Sequence, residues 1–504
     1  MKILMINSVC GIRSTGRICT DLATQLKSEG HDVKITYGRE TVPSIYQNFA
    51  VRIGSSFGVK LHGLYARLFD ASGFGSRLAT KRFIKWVKAY DPDIIHLHNI
   101  HGYYLNIKIL FDYLKKCDKK VIWTLHDCWA FTGHSAYCDA KRCERWIGGC
   151  HNCPELDSYP KSFFDNSMKN WEKKKDLFCS LENVTLVTPS EWLKNLVSKS
   201  ILRRYHTVVI NNGIDVDVFK PLTNDFRRFY NLEGKIVITI DCNGCGNDEI
   251  NAIYDFAKEL GNDYHFVFIN LNEKGKGELN TNVLKIGKVY SSKEKKMIKE
   301  ASNCFFDLNK NKNISIDDIN KSLTEKCDDV LVESEKGYFE EKDKLGFLNK
   351  KVLIGVASLW EERKGLKDII KLSEIIDDNT KIVVVGVDEE QKKEIGKRVI
   401  GINRTNNVEE LACLYSISDY FINPTYEDNY PTTNLESISC GTPVITYITG
   451  GSPESAKLYG VSLKKGDIEG IFNIIKNDTE FELVKKDVSK EKALKEYMSV
   501  YFEE

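Results

Sequence analysis

The chain has 504 residues, 42% of them hydrophobic, which is enough for about three domains with buried cores. Its 72 basic residues nearly cancel its 71 acidic ones, leaving a formal net charge of +1. No field from the whole molecule gathers nucleic acid, so nucleic acid is excluded as an expected partner and any anion site must be local. Fifteen cysteines are an odd number in a large chain, and "MKILMINSVCG" is too short an apolar run for a signal peptide, so a reducing cytoplasm is expected. No segment approaches the roughly 18 apolar residues of a membrane-spanning helix.

In chain order, strand "KILMIN" is followed by loop "SVCGIRSTG", then by a helix with Ile18, Leu22 and Leu26 on one stripe, stopped by Gly30 before strand "DVKITYG". This is a βαβ unit. "GIRSTGRI" misses a phosphate-binding P-loop, because Arg17 replaces the lysine and Ile18 removes the hydroxyl that would bind magnesium. From Lys60 to Lys88, seven basic residues stand against Asp70 alone, interleaved with Leu64, Leu68, Phe83, Trp86 and Val87. An amphipathic helix of this kind ordinarily packs its apolar face on a sheet. The alternative is a basic surface resting on anionic lipid.

"PDIIHLHN" and "KKVIWTLHD" end in polar residues, as buried parallel strands do when a ligand edge lies beyond their carboxyl ends. His96, His98 and His101 suggest a metal, but no carboxylate partner is evident, and hydrogen bonding by His98 and Asn99 at a cleft explains them as well. His126 ends the second strand, where a neutral imidazole can accept a hydrogen bond from a hydroxyl-rich ligand. A lone histidine is more often a satisfied structural residue. Cys138, Cys143, Cys150 and Cys153 follow in "CDAKRCERWIGGCHNCP". Four thiolates so spaced can close a tetrahedral structural zinc site; the alternative is buried free thiols, with His134 and His151 as stand-in ligands.

"VVINNGIDVDVF" supplies a turn and a change of composition, and "DVD", Asp215 to Asp217, reads as part of that turn. Beyond it, a shift of 116 residues lays "LEGKIVITI" on "LNKKVLIGV" and "SSKEKKMIKEASNCFFDL" on "NNVEELACLYSISDYFINP". "YHFVFIN" falls within one residue of "KIVVVGV". Leu232, Lys235, Ile238 and Phe305 match Leu348, Lys351, Ile354 and Phe421. The middle is expected to be a degenerate, structural copy of a half-domain, although any two βα segments share part of such a pattern. "GCG", Gly244 to Gly246, lacks a third glycine at dinucleotide spacing. The last third repeats the grammar with strands "KVLIGVAS", "TKIVVVGV", "RVIGINR" and "YFINP". The expected units are an N-terminal Rossmann-like domain at 1–221, the insert at 222–349, a C-terminal domain at 350–485, and a final helix at 486–504 that returns to the first domain.

Chemistry concentrates in two stretches. In "EDNYPTTNLES", Pro431 near a first helical turn, with Thr432 or Thr433 as cap, presents free backbone N–H groups to an anion. Thr433 and Glu436 also fit a capping box, so Glu436 either ties down the helix start or faces a ligand. In "WEERKGLKD", Arg363 and Lys364 can hold a diphosphate at the carboxyl edge of a parallel sheet. The alternative is a solvated helix start beside Glu361 and Glu362.

Together "EDNYPTTNLESISCGTPVITYITGGSPE", "ERKG", "PSEWL", "NNGID" and "TLHDCWAFTGH" resemble the retaining family-4 glycosyltransferases of the GT-B fold, in the branch that builds exopolysaccharide and surface glycans. The resemblance covers residues 1 to about 220 and 350 to 504. It implies an α/β architecture of two Rossmann-like doubly wound parallel-sheet domains facing a cleft. A nucleotide-sugar donor, UDP- or GDP-linked, would sit mainly in the second domain and a glycan or lipid-linked acceptor in the first, with no cofactor required for catalysis. Carried over, Glu436 grips the ribose hydroxyls, and Asp428, where the wider family has Glu, stands beside the transferred sugar. The backbone of Asn429, Tyr430, Pro431, Thr432 and Thr433 meets sugar and distal phosphate. Arg363 and Lys364 stabilise the leaving diphosphate, Ser358 stands where many relatives have Arg, and Arg404 is counted with the donor side. His126 lies near the donor sugar, with Gly16 and Arg17 facing the cleft. Related sequences often carry Cys where Ser135 stands, so Cys138 is a substitute zinc ligand or the site is broken. The expected protein is a hexosyltransferase of the cytoplasm, peripheral on the inner membrane face. Its rivals are an inactive glycan-binding scaffold and a sugar-nucleotide epimerase of the same fold.

Overall fold

The computed structural model describes residues 1–139, 141–243, 247–260, 263–271, 282–307, 319 and 337–502; Gly244 to Gly246 lie outside them. The first lobe is built on strands β1 (Lys2–Ile6), β2 (Asp32–Tyr37), β3 (Ala50–Arg52), β4 (Ile94–Leu97), β5 (Lys120–Thr124), β6 (Val184–Thr188) and β7 (His206–Val209). They run parallel in the order β3-β2-β1-β4-β5-β6-β7. Helices cover both faces of such a sheet, which is why β1 and β4 are apolar with little alternation and buried almost throughout. Helix α1 (Arg13–Ser28) buries Cys19, Leu22, Ala23 and Leu26. It starts earlier than the sequence suggests, so Gly16 lies in its first turn rather than in the preceding loop. There a Cβ would crowd Val9 Cγ2 at 3.1 Å and the Gly11 nitrogen at 3.2 Å.

A four-stranded parallel sheet follows, β10-β9-β8-β11, from β8 (Ile236–Asp241), β9 (Tyr264–Ile269), β10 (Val283–Lys285) and β11 (Cys304–Asp307). The second large sheet is β14-β13-β12-β15-β16-β17, from β12 (Lys351–Val356), β13 (Thr380–Val385), β14 (Val399–Ile402), β15 (Tyr420–Asn423), β16 (Val444–Tyr447) and β17 (Gly460–Leu463). The small sheet repeats the order of the first four strands of the large one. Strands β9, β10 and β11 begin 116 residues before β13, β14 and β15, and β8 begins 115 before β12. Details repeat as well. Asn303 accepts the Val237 N–H at 2.8 Å, as Asp419 accepts that of Val352 at 2.8 Å. Ser291 caps its helix on the Glu294 N–H, as Asn407 does on that of Glu410. The middle region thus repeats the strand order of half of the second large sheet, and it shares one core with the second lobe through Val237, Val267 and Ile298 against Val352, Val383 and Tyr415.

The last helix, Lys490–Phe502, lies on the first lobe. Tyr497 and Tyr501 enter its core beside Met5 and Cys19, and Tyr501 places its hydroxyl on His96 Nδ1 at 2.5 Å. Helix α2 (Ser56–Phe69) departs from the ordinary amphipathic expectation. It buries only His62 and Ala66, whereas helix α3 (Arg77–Tyr90) buries Thr80, Phe83, Ile84 and Val87. No helix among the described residues is long and apolar enough to cross a membrane.

Candidate active site

In the second large sheet β12 and β15 are neighbours although β13 and β14 separate them in sequence. Loops leaving two such strands diverge and open a crevice at their carboxyl ends. The loop after β12 carries Arg363 and Lys364; the loop after β15 carries Glu427 to Pro431. Gly365 joins them: its φ is +76°, and a Cβ there would stand 2.2 Å from the Pro424 carbonyl oxygen. Only glycine tolerates that approach, which accounts for the third residue of "RKG". The Tyr426 N–H donates to the Arg363 carbonyl at 2.7 Å and pins the pair of loops.

The crevice brings Lys364 Nζ onto the Asp428 carboxylate. Burial pulls the Lys364 ammonium below its ordinary range despite Asp428 beside it. Burial pushes the Asp428 carboxyl up, but Lys364 and then Arg363 outweigh it and hold it below its usual value. Arg363 donates to the Glu427 carbonyl at 3.1 Å and to Glu361 at 2.9 Å, with its guanidinium 4.6 Å from the Tyr137 ring. Both cations are thus held in place by protein partners.

The helix Thr432–Ser439 begins at Pro431 with no side-chain cap. The capping-box alternative is therefore absent: Glu436 instead accepts the Tyr415 hydroxyl at 3.2 Å. Burial pushes the Glu436 carboxyl up, opposed by Arg17 from the first lobe. Asn429, Thr432 and Thr433 stay partly accessible, whereas the Tyr430 ring is core and its carbonyl takes the Asn212 amide at 3.0 Å. The uncapped N–H groups at this helix start can receive an anion. Ser358 and Arg404 are exposed beyond the carboxyl ends of β12 and β14.

The first lobe has its own reversal between β1 and β4. Asn7 ends β1 and accepts the Asn99 N–H at 3.2 Å; His98 follows β4 with Nδ1 3.1 Å from His126 Nε2 at the end of β5. His101 does have a carboxylate partner, Asp127 at 2.7 Å, which the sequence did not reveal. His96 is a satisfied core residue between Tyr501 and Thr124. "DVD" is a turn, with Asp215 accepting the Asp217 and Val218 N–H groups.

The sulfurs of the four cysteines of the long loop do not all lie within ligand distance of one another. Cys138 Sγ turns inward to Cys128 Sγ at 3.2 Å, and Cys150 Sγ accepts the Gly133 N–H at 3.1 Å. These four do not fit a tetrahedral zinc. Among the described residues the side chains close enough to share a metal ion are Cys128, Cys138 and Glu427. The Glu427 carboxylate is already engaged, accepting the N–H groups of Cys138 at 2.9 Å and Asp139 at 3.0 Å. This contact crosses between the lobes. So do Asp139 to the Gly450 N–H at 2.8 Å, Asn429 to the His126 carbonyl, and Glu454 to the Glu191 and Trp192 N–H groups at 3.0 and 2.6 Å. Sequence reasoning missed Glu427, Asp139, Glu454 and Tyr415, since each acts through a partner remote in sequence. The two lobes meet here, and His126, Arg17, Lys364, Asp428 and Glu436 lie along the seam.

Burial holds His62 and His126 at about 4 and His96 at about 3, against an ordinary 6.5. Unfolded imidazoles bind protons from 6.5 downward, so each contribution to stability is full above about 6.5 and is lost as pH falls from there toward about 4 for His62 and His126 and about 3 for His96. Imidazole resonances of the folded protein should show these three neutral down to about pH 5.5. An inflection near 6.5 in any of them contradicts the burial.

Known proteins match the same two lobes. The model for Glycosyltransferase Family 4 matches residues 15–218, and that for Glycosyl transferases group 1 matches residues 338–478. The putative colanic acid biosynthesis glycosyl transferase WcaC of Escherichia coli (strain K12) is 32% identical over 181 residues, 34% of this chain and 43% of the relative. The match thus spans less than half of that relative's length. Among solved structures, sucrose-phosphate synthase from Thermosynechococcus elongatus is similar with a TM-score of 0.55 at 12% identity, covering 99% of this chain and 98% of that one. At that identity the likeness is one of fold.

Proposed function

Because the chain belongs to the family-4 glycosyltransferases of the GT-B fold, we propose that it transfers a hexose-type sugar from a UDP- or GDP-sugar to a lipid-linked oligosaccharide. The anomeric configuration is retained and no metal is needed. The product enters surface polysaccharide at the inner face of the membrane. The observation that carries this reading is the meeting of Lys364 and Asp428 at the strand reversal of the second lobe, beside an uncapped helix start and opposite His126. Departure of a nucleoside diphosphate develops negative charge, and preorganised cations and N–H groups lower that barrier. In this reading Lys364 leaves Asp428 for the diphosphate, Arg363 supports it, and Asp428 turns to a sugar hydroxyl. Glu436 meets the ribose, and the Asn429 to Thr433 backbone meets sugar and distal phosphate. Neutral His126 stands near the transferred sugar.

A second reading, an inactive glycan-binding scaffold, draws on one observation: Arg363 and Lys364 are both taken up by protein partners. A panel of UDP- and GDP-sugars with nucleotide release as the readout separates the two, run with and without a chelator. Release stimulated by a lipid-linked acceptor and indifferent to chelator supports transfer. Silence across the panel with a glycan still bound favours the scaffold, and a changed sugar nucleotide without acceptor indicates an epimerase.

A further inference from the structure

Three consecutive residues of the first lobe's long loop each grip the second lobe. Tyr137 lies on Arg363, the Cys138 and Asp139 N–H groups bind Glu427, and the Asp139 carboxylate takes the Gly450 N–H. Their partners stand on the loops after β12, β15 and β16. The run is anchored on its own side as well: the Ala136 N–H donates to the Tyr159 carbonyl at 3.2 Å, the Tyr137 N–H donates to Ser135 Oγ at 3.0 Å, and the Tyr137 ring packs against the first-lobe core. The Tyr137 hydroxyl has no hydrogen-bond partner among the described residues, so the ring makes the contact. Arg363 Cζ lies over that ring, 4.6 Å from its centroid. Arg363 Nε donates to Glu361 at 2.9 Å and Nη1 to the Glu427 carbonyl at 3.1 Å, whereas Nη2 donates to nothing among the described residues. A ring takes up the charge of a guanidinium without using any of its N–H donors.

We propose that Tyr137 is a positioning residue for the transfer: its ring fixes the Arg363 guanidinium with Nη2 turned to the nucleotide's diphosphate, so that the first lobe helps to build the donor's phosphate site. Glu361 is 51% exposed and holds Arg363 only through a solvent-screened pair. A side chain with this much rotamer freedom needs a further constraint. The ring supplies it and, being neutral, leaves the positive charge to the leaving group. A carboxylate in its place would compete with phosphate for the same N–H groups. This rests on the reading of Arg363 as a diphosphate-binding cation and adds which group of the other lobe sets it.

The full chain is titrated with UDP and GDP, and with uridine and guanosine, which carry the same bases and ribose without the diphosphate. Tyr137→Leu and Tyr137→Gln, which remove the ring, should each weaken binding of the nucleoside diphosphate roughly tenfold and leave the nucleoside unchanged. Tyr137→Phe keeps the ring and should stay within about twofold of the parent. In an Arg363→Met background Tyr137→Leu should cost less than about twofold further, because the group it positions is gone. Circular dichroism and thermal melting of the variants should match the parent. The proposal is overturned if the ring-deleted variants bind diphosphate as the parent does, or if the losses multiply in the double variant. It is overturned too if Tyr137→Phe is as weak as Tyr137→Leu, which would assign the effect to the hydroxyl. Ring-deleted variants that melt early and weaken nucleoside and diphosphate alike make Tyr137 structural and overturn it as well. A parent that binds neither UDP nor GDP overturns the reading of Arg363 together with the proposal, whereas the other outcomes leave that reading standing.

Discussion

Lys364→Ala should lower kcat by roughly 10²- to 10³-fold, the range seen when one preorganised charge-stabilising donor is removed. Lys364 Nζ sits on Asp428, and both side chains are 20% exposed. The ammonium therefore adds little packing and much field, and in the proposed transfer its loss would fall on the developing charge of the leaving group. Folding should survive. Asp428 keeps the field of Arg363 and a hydrogen bond from the Asn429 backbone, so the stranded carboxylate costs about 1–3 kcal/mol. Nucleotide-release kinetics beside a urea titration check both halves. Parental turnover would remove Lys364 from the reaction, and a collapsed unfolding transition would make it structural.

Lys342→Ala should cost the second lobe about 3–5 kcal/mol, because it leaves a buried carboxylate uncompensated. Lys342 Nζ lies 2.8 Å from Glu294 Oε2, with the two side chains 0% and 1% exposed. Both residues lie in the middle region and tie it to the lead-in of β12: Lys342 also donates to the Lys350 carbonyl at 2.9 Å, and Glu294 accepts the Asn349 N–H at 3.3 Å. Burial already pushes the Glu294 carboxyl up, opposed chiefly by Lys342. Lys342→Met combined with Glu294→Gln removes both charges at similar volume and should recover most of the loss. A double variant as unstable as the single one would place the cost in packing and not in charge. Since the pair is remote from the crevice loops, neither variant should change KM for the donor while the protein is folded.

The contrast between these two cations shows where sequence reading succeeds. Arg363 and Lys364 are conspicuous because they follow a strand and precede a helix, so local periodicity alone puts them at the carboxyl edge of a sheet. Lys342 and Glu294 look like ordinary surface residues of charged helices, and only the packing of helices 48 residues apart in sequence buries them. The insert itself was legible as a repeat because a shifted copy keeps its apolar spacing. Its first strand slips by one residue, a difference that pattern matching without geometry does not resolve. The four cysteines show what spacing leaves open. Their spacing suits a metal, but the direction in which each sulfur points is set by the fold of the long loop, and Cys138 turns to Cys128.

By itself the sequence determined the alternation of strand and helix, the repeated strand pattern of the middle region, and the cations and acids offered at strand ends, because each is written within a few turns of chain. Only the tertiary structure decided that Glu427 clasps the backbone at Cys138, 289 residues away in sequence. It also decided that Glu436 meets Tyr415 and not its own helix start, and that α2 shows its apolar stripe to solvent. These outcomes depend on which distant surface arrives to bury or satisfy a group, and side-chain periodicity carries no record of that partner.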